Sequence, residues 1–164
     1  MARSSLVLAV TCAAMVACTG GMTQRERLVE QQVVEERVAT WVRVMNNARV
    51  DSLVAMYMPT PDCRKLWYDG RRSVGAEQLE QDLRAFYGSI NYMNFVLQDP
   101  VVEILTPEYA LTTFRHSTDV VQAGGAGRTV SPGQGVLVWM KDPADRTWKI
   151  HLEHISVLPP PPMN

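Results

Sequence analysis

The sequence predicts an α+β domain with its helices gathered on one face of an antiparallel sheet. Two observations carry this expectation. Apolar residues recur at helical spacing over the first half of the chain after residue 23, and everything after Asn91 turns to β-branched and aromatic segments separated by Gly, Pro and Asp. Helices first and a run of strands second is the order of an α+β layer arrangement.

Thr23-Gln24-Arg25-Glu26 has the pattern of a capping box, in which the Thr hydroxyl and the Glu carboxylate satisfy backbone donors left open at a helix start. A long helix is expected from there to Asn46-Asn47, with Val29, Val33, Val34, Val38, Trp41, Val42 and Met45 forming its core stripe. Glu30, Glu35, Glu36, Arg37 and Arg43 fill the other side. Asp51 is expected to cap a shorter helix running to Met58, which Pro59 and Pro61 prevent from continuing. Residues 63–74 read as a short hairpin turning at Asp69-Gly70. Gly75 then opens a third helix with Leu79, Leu83, Phe86, Tyr87 and Ile90 on one face.

Strand-forming segments follow at residues 95–97, 101–105, 109–121, 130–141 and 147–157. Gly124-Gly125-Ala126-Gly127 and Asp142-Pro143-Ala144-Asp145 connect the last three. The glycine run leads into a strand and not a helix, so it is a turn and not a phosphate cradle. Pro159 to Pro162 are expected to form an extended tail.

Composition narrows the function. The chain has 164 residues, 46% apolar and 20% charged, with a formal charge of −1, which is the profile of a folded domain and offers no basic footprint for nucleic acid. Residues 1–17 read as an export signal: a basic Arg3, an apolar stretch from Leu6 to Ala17 too short to span a bilayer, and small residues ahead of Cys18. Met15-Val16-Ala17-Cys18 resembles the lipobox of bacterial lipoproteins, which implies a lipid on Cys18 and palmitate-type anchoring to a membrane. In a Gram-negative cell this would be the periplasmic face of the outer membrane. The expected organisation is therefore a signal at 1–17, lipidated Cys and tether at 18–23, one domain at 24–157 and a proline-rich tail at 158–164. Cys63 is then the one thiol left over and is expected to be buried.

Within the domain, the long first helix ending near Asp51-Ser52-Leu53, the Trp67-Tyr68-Asp69-Gly70 segment and the Gly75 helix start come in a telling order. Glu108-Tyr109-Ala110 then enters a long strand, and a final Trp148-Lys149-Ile150 strand ends at His154-Ile155-Ser156. In that order and spacing they resemble the SnoaL-like branch of the nuclear transport factor 2-like, or ketosteroid isomerase-like, superfamily. The resemblance implies a cystatin-like α+β roll: a strongly curved antiparallel sheet wrapped around the long helix as a cone, with a pocket at its wide end and pairing as a homodimer through the outer sheet.

Side-chain alternation assigns the site candidates. On the last strand Trp148, Ile150, Leu152, His154 and Ser156 share a face that the apolar content places inside, and Lys149, His151, Glu153 and Ile155 share the outside. His154 is then a catalytic candidate for proton transfer, with His116 as a second if Ala110, Thr112 and Phe114 also face inward. His151 and Glu153 are expected to be a solvated pair. Tyr57, Trp67, Tyr68, Tyr87 and Trp139 are ligand-binding candidates for a flat apolar molecule. Asp51, Asp69 and Asp119 read as cap, turn and hairpin-end residues, so no carboxylate matches a catalytic one of the family. No metal and no cofactor are expected, since the chain lacks HExxH, CxxC and GxSxG. Three functions stay open: a pocket for a small, partly apolar molecule, an acid/base enzyme of dehydratase or isomerase type, and an interaction domain without a ligand.

Overall fold

The computed structural model describes residues 21–125 and 127–158, so the expected export signal at 1–17, Cys18 and the proline run lie outside the described residues. Helix α1 spans Gln24–Asn46, α2 Val50–Val54 and α3 Ala76–Gly88. The strands are β1 Arg64–Leu66, β2 Arg72–Val74, β3 Ile90–Ile104, β4 Tyr109–Gln122, β5 Arg128–Lys141 and β6 Trp148–Val157. They form one curved sheet of order β2-β1-β6-β5-β4-β3. The α+β roll expected from the sequence is the fold of the chain. One pairing departs from a purely antiparallel sheet: β1 runs parallel to β6, which sets Lys65 opposite Glu153.

Helix α1 starts where its capping box puts it. Thr23 Oγ1 accepts from the Glu26 amide at 3.2 Å, while Glu26 accepts from the Thr23 amide at 2.8 Å. The helix stops at Asn47, whose side-chain amide donates to the Arg43 carbonyl. Its buried face is Val34, Val38, Trp41, Val44 and Met45. Trp41 meets the sheet edge-on against Phe95, with ring centroids 5.4 Å apart, and lies 5.7 Å from Phe114. The first half of the expected stripe is not buried: Val29 is 58% exposed, and Leu28 and Val33 are exposed beside it. There the helix is held by polar contacts instead. Glu30 accepts from the Trp148 indole at 2.7 Å and pairs with Lys141, and Arg27 donates to the Ile104 carbonyl.

Three local expectations need correction. Asp51 does not cap α2: Arg49 occupies that position without a side-chain cap, and Asp51 sits in the first turn paired with Arg84. The expected strands 95–97 and 101–105 are one strand, β3, with a bulge between Gln98 and Val101. Asp99 takes a positive φ of 47° there, so the chain bends at Asp99-Pro100 without leaving the sheet. The third correction lies on β6. Ile150 pairs with Trp139 and Leu152 with Val138, which leaves His151 as an extra residue opposite no partner. A one-residue bulge exchanges the two faces of everything after it. Trp148 and Ile150 therefore face the core as alternation predicts, but beyond the bulge Glu153 is buried and His154 is exposed.

Candidate functional site

A cavity of about 270 Å³ opens between α3, β1 and the far ends of β3, β4, β5 and β6. Leu53, Leu83, Met93 and Phe95 form its apolar floor, and Trp67, Phe86 and Tyr87 one wall. The aromatic wall is internally packed, with Trp67 and Phe86 at 5.5 Å and Phe86 and Tyr87 at 5.2 Å between centroids. Thr118, Gln122, Thr129 and Ser131 bring polar groups to the opposite side. This composition, mostly apolar with a few convergent polar groups, is that of a small-molecule site.

His116 lines the cavity because β4 keeps strict alternation: Ala110, Thr112, Phe114 and His116 are all buried. Its ring stacks on Phe95 at 4.8 Å. Nε2 lies 3.2 Å from the Ser156 carbonyl, which can only accept, so Nε2 carries the proton. Nδ1 then accepts from the Thr118 hydroxyl at 3.0 Å. Gly133 on β5 passes so close that a Cβ there would overlap the imidazole and the Ser156 carbonyl, which is why this strand position holds glycine. Burial lowers the His116 pKa below its usual value, against the smaller opposing effect of the Ser156 carbonyl. The folded protein thus holds a neutral imidazole while the unfolded chain takes a proton below about 6.5. That contribution to stability is complete above the unfolded value and is lost as pH falls from there through the folded value. Wild type is expected to lose more stability than His116→Asn between pH 7 and 5 in urea titrations; parallel pH profiles would exclude a buried neutral His116.

The other polar feature is one that sequence reading missed. Glu153, expected in solvent beside His151, is 0% exposed; its carboxylate takes the Lys65 ammonium on one oxygen and the Tyr57 hydroxyl on the other. Lys65 lines the cavity, with Nζ 4.7 Å from the centroid of the Trp67 ring. Trp67 is itself oriented by a 2.8 Å hydrogen bond from its indole to Ser73 Oγ, and Ser73 donates to Asp82 at 2.6 Å. Burial lowers the Lys65 pKa, an effect the adjoining Glu153 carboxylate opposes, and burial raises that of Tyr57, which stays a donor.

The ligand-binding candidates divide. Trp67, Tyr68 and Tyr87 line the cavity. Tyr57 sits behind its wall as the second partner of Glu153, and Trp139 is fully buried with its indole donating to Thr112 at 2.9 Å. His154 lies outside the cavity on the exposed face, so the two histidines proposed for proton transfer do not meet in one site. Cys63 is buried, and burial pushes its thiol up to about 11, which makes it unreactive near neutrality.

The fold recurs in solved structures. A provisionally named scytalone dehydratase from Novosphingobium aromaticivorans superposes with a TM-score of 0.71 at 13% identity, over 80% of this chain and 86% of that one. A nuclear transport factor 2-like superfamily protein from Salmonella enterica serovar Typhimurium gives 0.71 at 17% identity, over 84% and 96%. A ketosteroid isomerase-like protein from Erwinia carotovora gives 0.68 at 16% identity, over 80% and 98%. These likenesses establish the fold and nothing finer. No family model and no curated protein matches the sequence.

Proposed function

We propose that this chain is a lipid-anchored domain of the SnoaL-like branch whose cavity binds a small, partly apolar molecule. The observation that carries the reading is the cavity itself, lined mostly by apolar and aromatic side chains, with a few polar groups at Lys65, His116, Thr118, Gln122, Thr129 and Ser131 and the hydroxyls of Tyr68 and Tyr87. Binding is favoured over proton transfer by histidine, because both His116 ring nitrogens are already engaged and His154 faces away. The structural relatives named for dehydratase and isomerase activities support a small-molecule role for such a cone. Lipid on Cys18 would hold the cavity at a membrane surface through the short Thr19–Thr23 tether, with Cys18→Ser expected to move the protein from the membrane to the soluble fraction. Tyr92, Val96 and Val101 on the outer side of β3 are exposed and offer a face on which a second copy would pair.

Native mass spectrometry of the gently purified protein tests the binding reading. Wild type is expected to carry a ligand. Thr118→Trp, which fills the cavity from β4, is expected to weaken binding at least about ten-fold, or ~1.4 kcal/mol, with an unchanged circular dichroism spectrum. Equal ligand content in the two proteins would refute the cavity as the site.

A further inference from the structure

We propose that Lys65 forms an imine with a small apolar aldehyde held in the cavity, with Glu153 as the proton carrier; this rests on the cavity-binding reading and names the substrate class. The lysine is the member of the pair that a ligand can reach, since its side chain keeps 7% of its surface accessible and that of Glu153 keeps none. Among the described residues Nζ has one hydrogen-bond partner, Glu153, and it lies over the Trp67 ring at the lining of the cavity. A carbonyl oxygen can accept a further hydrogen bond from this ammonium. A ligand carboxylate is disfavoured, because it would compete with Glu153 for one ammonium and leave a second anion buried.

The chemistry balances within the site. Glu153 takes one proton from the Lys65 ammonium, and the freed amine attacks the carbonyl carbon, forming the C–N bond as the carbonyl electron pair moves to oxygen. A proton passes from the nitrogen to that oxygen, giving a carbinolamine. Glu153 then returns its proton to the Lys65 nitrogen, from which a proton passes to the hydroxyl; water leaves, and the nitrogen lone pair closes the C=N bond. One ammonium and one aldehyde become one protonated imine and one water, with no change in oxidation. The protonated imine restores a positive charge beside the Glu153 carboxylate, so the ion pair is regenerated in the product. Tyr57, donating to the far carboxylate oxygen, holds Glu153 in place throughout. Desolvation of a lysine in an apolar pocket is the usual route to a nucleophilic amine, and burial lowers the Lys65 pKa in that sense.

Selectivity is readable because the chain contains only two other lysines, Lys141 and Lys149. Both lie outside the cavity and pair with carboxylates, Lys141 with Glu30 and Lys149 with Asp142 and Asp145. The test treats the full chain with trans-cinnamaldehyde and sodium cyanoborohydride, then maps the reduced adduct by peptide mass spectrometry. Displacement of an anilinonaphthalene dye from the cavity is followed in parallel. The expected result is dye displacement together with a Lys65 adduct in about ten-fold or greater excess over Lys141 and Lys149, because Lys65 alone lines the cavity and presents a desolvated amine to the aldehyde. Lys65→Arg, which keeps the charge, is expected to bind without labelling, and Glu153→Gln to bind and label slowly. Dye displacement with no adduct, or with adduct spread evenly over the three lysines, overturns the imine and leaves the binding site standing. No displacement and no adduct overturns both. The wild-type map alone decides the matter should either variant fail to fold.

Discussion

Glu153→Ala is expected to destabilise the protein by about 3–5 kcal/mol, the usual cost of removing one partner of a buried ion pair. The carboxylate joins β6 to β1 through Lys65 and to the Tyr57 segment through its hydroxyl, with no exposed surface of its own. Without it, Lys65 is left with a charge that has lost its partner and Tyr57 with a donor that has lost its acceptor. Glu153→Gln keeps an acceptor for Tyr57 and should cost less. The double variant Lys65→Met, Glu153→Leu should recover much of the loss, because it removes both charges and fills the space with apolar groups. Urea unfolding reads all three as shifts of midpoint at constant slope. A loss below about 1 kcal/mol for Glu153→Ala would mean that the carboxylate is hydrated and the pair is a surface one.

The other large effect belongs to the core. Trp41→Ala is expected to cost about 3–5 kcal/mol, since it empties a site where the helix meets Phe95 and Phe114 and the sheet cannot collapse to refill it. Trp41→Phe should be much milder. The indole nitrogen is buried beside the Tyr57 hydroxyl without a well-formed hydrogen bond, so losing it removes a desolvation penalty along with some contact area. Thermal unfolding of the two variants separates packing from polarity: similar losses would mean that the N–H group matters, which the structure does not support.

What the sequence makes legible and what it hides follow from the range of the interactions involved. The capping box at Thr23, the Asp69-Gly70 turn, where Gly70 takes a φ of +85°, and the Gly75 helix start are local, and each stands where the residues put it. His116 was legible too, because β4 pairs with β5 without interruption from Tyr109 to Val121 and alternation holds along it. On β6 the same rule fails at a single residue. Nothing in Lys149-Ile150-His151-Leu152 announces a bulge, and its consequence is to exchange His154 for Glu153 at the inner face. The partner of Glu153 was equally hidden, since the parallel pairing of β1 with β6 joins residues 88 positions apart. The exposed Val29 and Val33 are a third case: helical spacing identifies a stripe, but the end of the sheet decides how far along the helix that stripe is covered.

The bulge at His151 turns Glu153 inward, where it holds Lys65 at the wall of the cavity, and turns His154 to the outside. Chemical-shift mapping of the labelled protein during titration with trans-cinnamyl alcohol, which fills the cavity without reacting, tests this most directly. The largest shifts are expected at Thr118, Ser131, Ile155 and the Lys65 side chain, with His154 and Leu28 unmoved. Shifts concentrated at His154 and its exposed neighbours, with Lys65 silent, would contradict it.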